Sequence, residues 1–337
     1  MLISHIVYTE VFKFNIKDMK RRHFMHQLGL AGAGLGLLPQ LSFAKARTTS
    51  DFGVALFTLP KSLSEDFEGT LKMIADSGYK ELEFFGPYEF STAAAKEGWK
   101  MAANALGFSG SGYFGNSPKE LKAILDRYGL SAPSIHIDLP TLQENMEAVA
   151  EAAHIVGHKY VGIAMIPDEM RQSLDDYRRT IDIFNEVGGN AKKHGLTFFY
   201  HNHGYGHAPM NGSVPFQMIL DQTDKELVKM QLDVFWFTAA KVDPIQILEA
   251  NPNRFISLHV KDMSELKTFA GDGGNMGEWM GLFPYLADAG EGVLDLGKIL
   301  ATAKKTGVKH FFLEKDLTPE PEKALKNSFS HLSGLNI

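Results

Sequence analysis

The chain has 337 residues, with 34 Lys and Arg against 40 Asp and Glu. The resulting net charge of −6 argues against nucleic acid, whose phosphates call for a basic surface. No cysteine is present, which excludes disulfides, thiolate zinc sites and a cysteine nucleophile, so any metal must be held by nitrogen and oxygen. The length admits two domains or one α/β barrel, for which about 250 residues suffice.

The first 44 residues read as an export signal. Lys20-Arg21-Arg22-His23-Phe24 precedes an apolar, glycine-rich run from Leu28 to Leu38, and Ser42-Phe43-Ala44 supplies small residues for a peptidase. The paired arginines followed by Phe24 resemble a twin-arginine signal, which predicts a periplasmic protein. The run is too short and rich in glycine for stable membrane insertion. Met19 directly precedes the basic cluster and is the expected start.

From residue 51 to 337 the pattern is that of a single α/β domain. A strand over Phe52–Leu59 leads to a helix over Ser64–Ser77, with Gly78 just past its end. A second strand, Tyr79–Phe85, carries Glu81 and Glu83 on one face. Residues 86–117 read as an elaborated loop over the barrel mouth. A helix over Pro118–Tyr128 and a strand over Ser131–Asp138 follow, the strand placing Ser134, His136 and Asp138 on one face. Helices over Thr141–Val156 and Ser173–His194 flank a strand over Tyr160–Ile166, and a fifth strand begins at Thr197. Three more strands are expected over Lys229–Trp236, Phe255–Asp262 and His310–Lys315. Between and after them come helices over Val214–Gln222, Pro244–Ala250, Leu296–Thr306 and Pro319–His331, and a long loop over Met263–Asp295. Eight strands alternating with helices predict a (β/α)8 barrel rather than an open doubly wound sheet. No glycine-rich phosphate fingerprint follows the first strand, which also disfavours a dinucleotide fold.

Four late strands end in groups that bind metals or move protons. Thr197-Phe-Phe-Tyr-His-Asn-His-Gly204 sets His201 and His203 on one face, and the later strands end on Asp233, His259 and Glu314. Lys261 shares a face with His259. Catalytic residues of α/β barrels sit at such strand ends.

The motifs YHNHG, LDVFW, SLHVKD, GEGVLD and FLEKD, in this order, resemble the sugar phosphate isomerase/epimerase family of xylose isomerase-like TIM barrels. The resemblance runs from about Gly53 to the end. It implies one divalent ion held by a glutamate, an aspartate, a histidine and a second glutamate. Asp233, His259 and Glu314 match the last three, and His201 stands where the first glutamate is expected. Two imidazoles and two carboxylates favour Mn²⁺, Zn²⁺, Co²⁺ or Fe²⁺ over Mg²⁺.

The resemblance implies a small carbohydrate substrate and movement of a proton α to a carbonyl. Glu314, His201, Lys261 and Glu83 are the candidate catalytic groups, while His136, His203, Lys261 and Glu83 are the candidates for binding substrate. Lys261 can equally pair with Glu314 or Asp233. In relatives two metal-bound glutamates are understood to flank an enediolate. With His201 in one of those places, a lyase or hydratase acting on a 3-keto-glycoside by β-elimination is the alternative to an isomerase or epimerase. A barrel that binds sugar without turnover is the third reading, and a homo-oligomer stays open.

Overall fold

The computed structural model describes residues 52–337; the expected export signal lies outside them. Eight parallel strands close into a barrel: β1 Phe52–Ala55, β2 Glu81–Phe85, β3 Ser131–His136, β4 Tyr160–Ile163, β5 Thr197–His201, β6 Val228–Asp233, β7 Phe255–Val260 and β8 His310–Leu313. They lie in sequence order around the barrel, and β1 pairs with β8, Gly53 opposite Phe312. The expected fold is the one observed. Among the described residues no helix is long and apolar enough to cross a membrane.

The strands are buried on both faces, as parallel strands covered by helices must be. Side chains alternate along each strand: Leu82, Phe84 and Phe198 meet the helices, while Glu83, Ser134, His136 and Phe199 point into the barrel. Within the barrel two phenylalanines form a plug. A Cβ on Gly162 would lie 2.4 Å from the Phe199 ring, and one on Gly53 2.6 Å from the Phe312 ring. Glycine is required at both positions because each ring fills the space a side chain would take. Above the plug, towards the C-terminal strand ends, the interior is almost wholly polar. The plug therefore gives the polar groups an apolar floor.

Local chemistry sets most helix boundaries. Ser117 and Glu120 form a reciprocal capping box ahead of Pro118–Tyr128, and Gly129 ends that helix at φ 63°. A cap of this kind stabilises a helix by about 1 kcal/mol. Several expectations are corrected: the first strand ends at Ala55 and not at Leu59, and the helix expected over Thr141–Val156 is two, Leu139–Glu144 and Met146–Val156. The helix expected over Ser64–Ser77 is two, Pro60–Glu65 and Phe67–Asp76, because Asp66 leaves helical geometry and caps the second through Gly69 N–H at 2.9 Å. Residues 86–117 are not all loop, since Ala93–Leu106 is a helix capped by Thr92 and ended by Gly107 at φ 77°. The expected sixth strand stops at Asp233, and Val234–Ala239 turns into a short helix.

The long segment after β7 folds back over the strand ends. Asp262–Met263 pairs antiparallel with Leu286–Ala287, and Met276–Leu282 forms a short helix between them. The buried Asp262 carboxylate accepts from the N–H groups of Gly290 and Gly292 at 2.9 and 3.1 Å, tying the GEGVLD turn to the end of β7. Phe269 of this segment lies against Gly204, where a Cβ would sit 2.1 Å from its ring. Its ring also stacks on Trp236 at 5.8 Å.

Candidate metal centre

Three of the four expected ligands, Asp233, His259 and Glu314, group at the top of the barrel, with His201 beside them. His259 Nδ1 is 2.7 Å from Glu314 Oε2 and 3.8 Å from Asp233 Oδ2, and His201 Nε2 is 3.9 Å from the same Asp233 oxygen. One ligand atom each from Asp233, His259 and Glu314 lies within 4.8 Å of the others. All four side chains are buried, Glu314 being the most exposed at 6%.

Asp233 does two things at once. As cap of Val234–Ala239, its Oδ1 accepts from Trp236 N–H at 2.9 Å, which leaves Oδ2 facing the cluster. The cap aims the other oxygen at the cluster, where Lys261 Nζ reaches it at 3.1 Å.

Beneath the four lies a layer of supporting groups. His259 Nε2 meets Glu83 Oε1 at 2.5 Å. Glu83 Oε2 accepts from Ser134 Oγ at 2.5 Å and from Gln231 Nε2 at 2.7 Å. A carboxylate on the far nitrogen of a ligating histidine orients the ring and raises its basicity. The structure thus sets Glu83 under the cluster, 2% exposed, with both oxygens engaged by protein groups. His136 is 2.8 Å from Gln231 Oε1 and 3.3 Å from Glu83 Oε1, with 11% of its side chain exposed.

Lys261 brings a permanent cation to the site. Its Nζ is 2.7 Å from Glu314 Oε2, 2.8 Å from Asp316 Oδ2 and 3.1 Å from Asp233 Oδ2, and it stands 4.9 Å over the Trp236 ring. The pairing reading of Lys261 is therefore present with both expected partners and a third. His203 lies to one side, its ring 4.6 Å from that of Trp279 and 5.8 Å from that of Trp236. It hydrogen-bonds the Ala164 backbone, and its Nδ1 has no hydrogen-bond partner among the described residues.

Electrostatics follow from burial and these partners. Burial pushes the Glu83 carboxyl up, but the imidazoles of His136 and His259 outweigh it and hold the group at about 2. Burial likewise disfavours a charged His259, yet Glu314 and Glu83 at its two nitrogens raise it to about 10. His136 and His201 are lowered, chiefly by burial, and His203 falls to about 3. Burial raises Asp233 and takes Asp316 to about 6, Lys261 notwithstanding.

These residues fit a divalent ion. Among the described residues, four carboxylates, Glu83, Asp233, Glu314 and Asp316, are packed around two cationic groups, Lys261 and His259, the latter held protonated by its carboxylate neighbours. A buried excess of negative charge is costly unless a cation offsets it. The ligands would be His201 Nε2, Asp233 Oδ2, His259 Nδ1 and Glu314 Oε2. His136, His201 and His259 also approach one another closely. There, however, Gln231 already bridges His136 and His201, and Glu83 takes His259, so this trio supports the site from below.

Sequence reasoning missed Gln231, Ser257 and Asp316 as site residues. Gln231 lies two residues before Asp233, Ser257 two before His259 and Asp316 two after Glu314. The two-residue period that found the strand ends points to each of them.

Fold and site together define an α/β-barrel protein with a buried cluster of imidazole and carboxylate at the C-terminal strand ends. Residues 71–334 match the family described as xylose isomerase-like TIM barrel, and the chain belongs to it. A sugar phosphate isomerase/epimerase from Parabacteroides distasonis ATCC 8503 is 21% identical with TM-score 0.66, over 88% of this chain and 98% of that one. The IolI protein with a bound zinc atom is 15% identical with TM-score 0.59, over 83% and 95%. The probable 3-DHS dehydratase AsbF of Bacillus anthracis, involved in petrobactin synthesis, is 13% identical with TM-score 0.56, over 85% and 100%. At these identities the likeness is one of fold. No curated protein matches the sequence.

Proposed function

We propose that the protein is a metal-dependent carbohydrate enzyme of the isomerase/epimerase type, moving a proton α to a carbonyl on a non-phosphorylated or keto sugar. The observation that carries this reading is the grouping of Asp233, His259 and Glu314, with His201 beside Asp233, in a buried cluster of excess negative charge. The zinc atom in the IolI protein supports a divalent ion in this fold. The nitrogen-rich donor set favours Mn²⁺, Zn²⁺, Co²⁺ or Fe²⁺.

A bound ion would polarise a carbonyl or hydroxyl oxygen of the sugar. The contacts of Glu314 with His259 and Lys261 both fall on Oε2, which leaves Oε1 to take a substrate proton. Lys261, fixed by three carboxylates, keeps Glu314 ionised for that role. Trp236, with Phe269 stacked on it, excludes water from one side.

One observation favours β-elimination as the second reading. Both oxygens of Glu83 are engaged beneath His259 and position 201 carries an imidazole, so among the described residues neither position supplies a free carboxylate to work with Glu314. Glu314 would take the α-proton, the C–H pair would form the new double bond, and the β-substituent would leave with its electrons and be protonated. The dehydratase among the structural neighbours is in keeping with this.

The test is proton exchange in deuterated water across a panel of sugars and keto-glycosides, with metal-loaded and chelated protein. Exchange that needs the ion supports the reading, and product analysis separates epimer from alkene. Metal-loaded protein that exchanges no substrate proton overturns it. We also propose export to the periplasm through the twin-arginine signal: changing Arg21 and Arg22 to lysine should hold the precursor in the cytoplasm, and undisturbed export would refute it.

A further inference from the structure

Gln231 has no exposed surface, yet its amide meets four polar groups beneath the site. Its Nε2 donates to Glu83 Oε2 at 2.7 Å and to Ser257 Oγ at 3.0 Å. Its Oε1 lies 2.8 Å from His136 Nε2 and 2.9 Å from His201 Nδ1. A side-chain amide has two N–H donors and two lone pairs on oxygen, and here all four are used. The orientation cannot reverse, because Oε1 would then face the Glu83 carboxylate, acceptor against acceptor.

Fixed this way, the amide dictates where the imidazole protons lie. An oxygen can only accept, so His136 must carry its proton on Nε2 and His201 its proton on Nδ1. The lone pair of His201 is then on Nε2, the atom that faces Asp233 Oδ2 at 3.9 Å. The opposite tautomer would turn an N–H towards the ligand cluster and leave two lone pairs facing each other at Gln231.

We propose that Gln231 is a positioning residue that sets the tautomer of His201 and so lets an imidazole serve where relatives are expected to carry a glutamate. The part concerning ligation rests on the metal reading above. His201 and Gln231 are a matched pair: a carboxylate at 201 would meet the accepting oxygen of an amide that Glu83 holds in place.

The test uses the ¹⁵N-labelled mature protein, first metal-free and then titrated with Zn²⁺ and Mn²⁺ against a competing chelator. Long-range imidazole ¹H–¹⁵N correlations should show His201 as the Nδ1–H tautomer and His136 as the Nε2–H tautomer. Gln231→Met, which keeps length and volume, should abolish that preference at His201 and weaken metal binding about 10- to 100-fold, as loss of an outer partner of a metal ligand does. Wild-type His201 with its proton on Nε2 overturns the proposal, whether or not the variant folds. So does a folded Gln231→Met with unchanged tautomer and affinity. Wild-type protein that binds neither ion fails the metal reading, while the tautomer measurement still judges Gln231.

Discussion

Lys261 Nζ lies 2.7 Å from Glu314 Oε2, the same oxygen that His259 Nδ1 reaches at 2.7 Å. One carboxylate oxygen thus joins the site's permanent cation to the imidazole that would hold the ion. Lys261 is 1% exposed, so removing it leaves Asp233, Glu314 and Asp316 buried without their shared partner. Lys261→Met should destabilise the metal-free protein by about 3–5 kcal/mol. A divalent ion should restore much of that loss, read as the change in Tm with and without chelator.

The pH dependence of stability should depend on the ion. His259 is raised from 6.5 to about 10 in the metal-free fold, so its contribution is complete below pH 6.5 and is lost as pH rises towards about 10. Glu83 is lowered from 4.5 to about 2, so its contribution is present above pH 4.5 and is lost as pH falls towards about 2. Denaturant titrations of chelated protein should show both losses. In metal-loaded protein the alkaline loss should shrink, since a ligating imidazole is neutral. Identical alkaline limbs would count against His259 as a ligand.

His201→Glu should not convert the protein into a two-glutamate epimerase. The new carboxylate would replace the Nδ1–H that now meets Gln231 Oε1 at 2.9 Å. The variant should be less stable by roughly 1–3 kcal/mol and eliminate more slowly, with no gain in epimerisation. A double-mutant cycle with Gln231→Met should give a coupling of about 0.5–3 kcal/mol. Strict additivity, or a rise in epimerisation, would contradict the pairing.

Gly204 is the contact point between the histidine motif and the segment that covers it. A Cβ there would lie 2.1 Å from the Phe269 ring, which stacks on Trp236, and Trp279 Nε1 donates to Gly273 O at 2.7 Å in the same segment. Gly204→Ala should displace Phe269 at a cost of about 1–3 kcal/mol. Acrylamide should then quench Trp236 and Trp279 more strongly than in the wild type, and unchanged quenching would show that the cover tolerates the methyl group.

The eight strands alternating with helices were legible in the sequence, and with them the barrel, although the sixth strand stops at Asp233 and not at Trp236. His201, Asp233, His259 and Glu314 could be named because a strand has a period of two and its polar end marks the rim. The same period reaches Gln231, Ser257 and Asp316, but a buried amide or hydroxyl has no signature in composition. The helix Ala93–Leu106 was legible too, in its alanines between Thr92 and Gly107, although the aromatic residues around it suggested a loop.

What only the tertiary structure decided are the contacts across the barrel. Glu83 on β2 meets His259 on β7, and His136 on β3 meets Gln231 on β6, pairs of strands that are not neighbours in the sheet. A strand's own sequence says which face a side chain takes, and nothing about what stands opposite once eight strands close. That depends on the register of all eight and on the space left by Gly53 and Gly162 for Phe312 and Phe199. Hence the sequence could place Glu83 on the inner face but not beneath a histidine. Closure of the barrel brought its carboxylate against His259 Nε2.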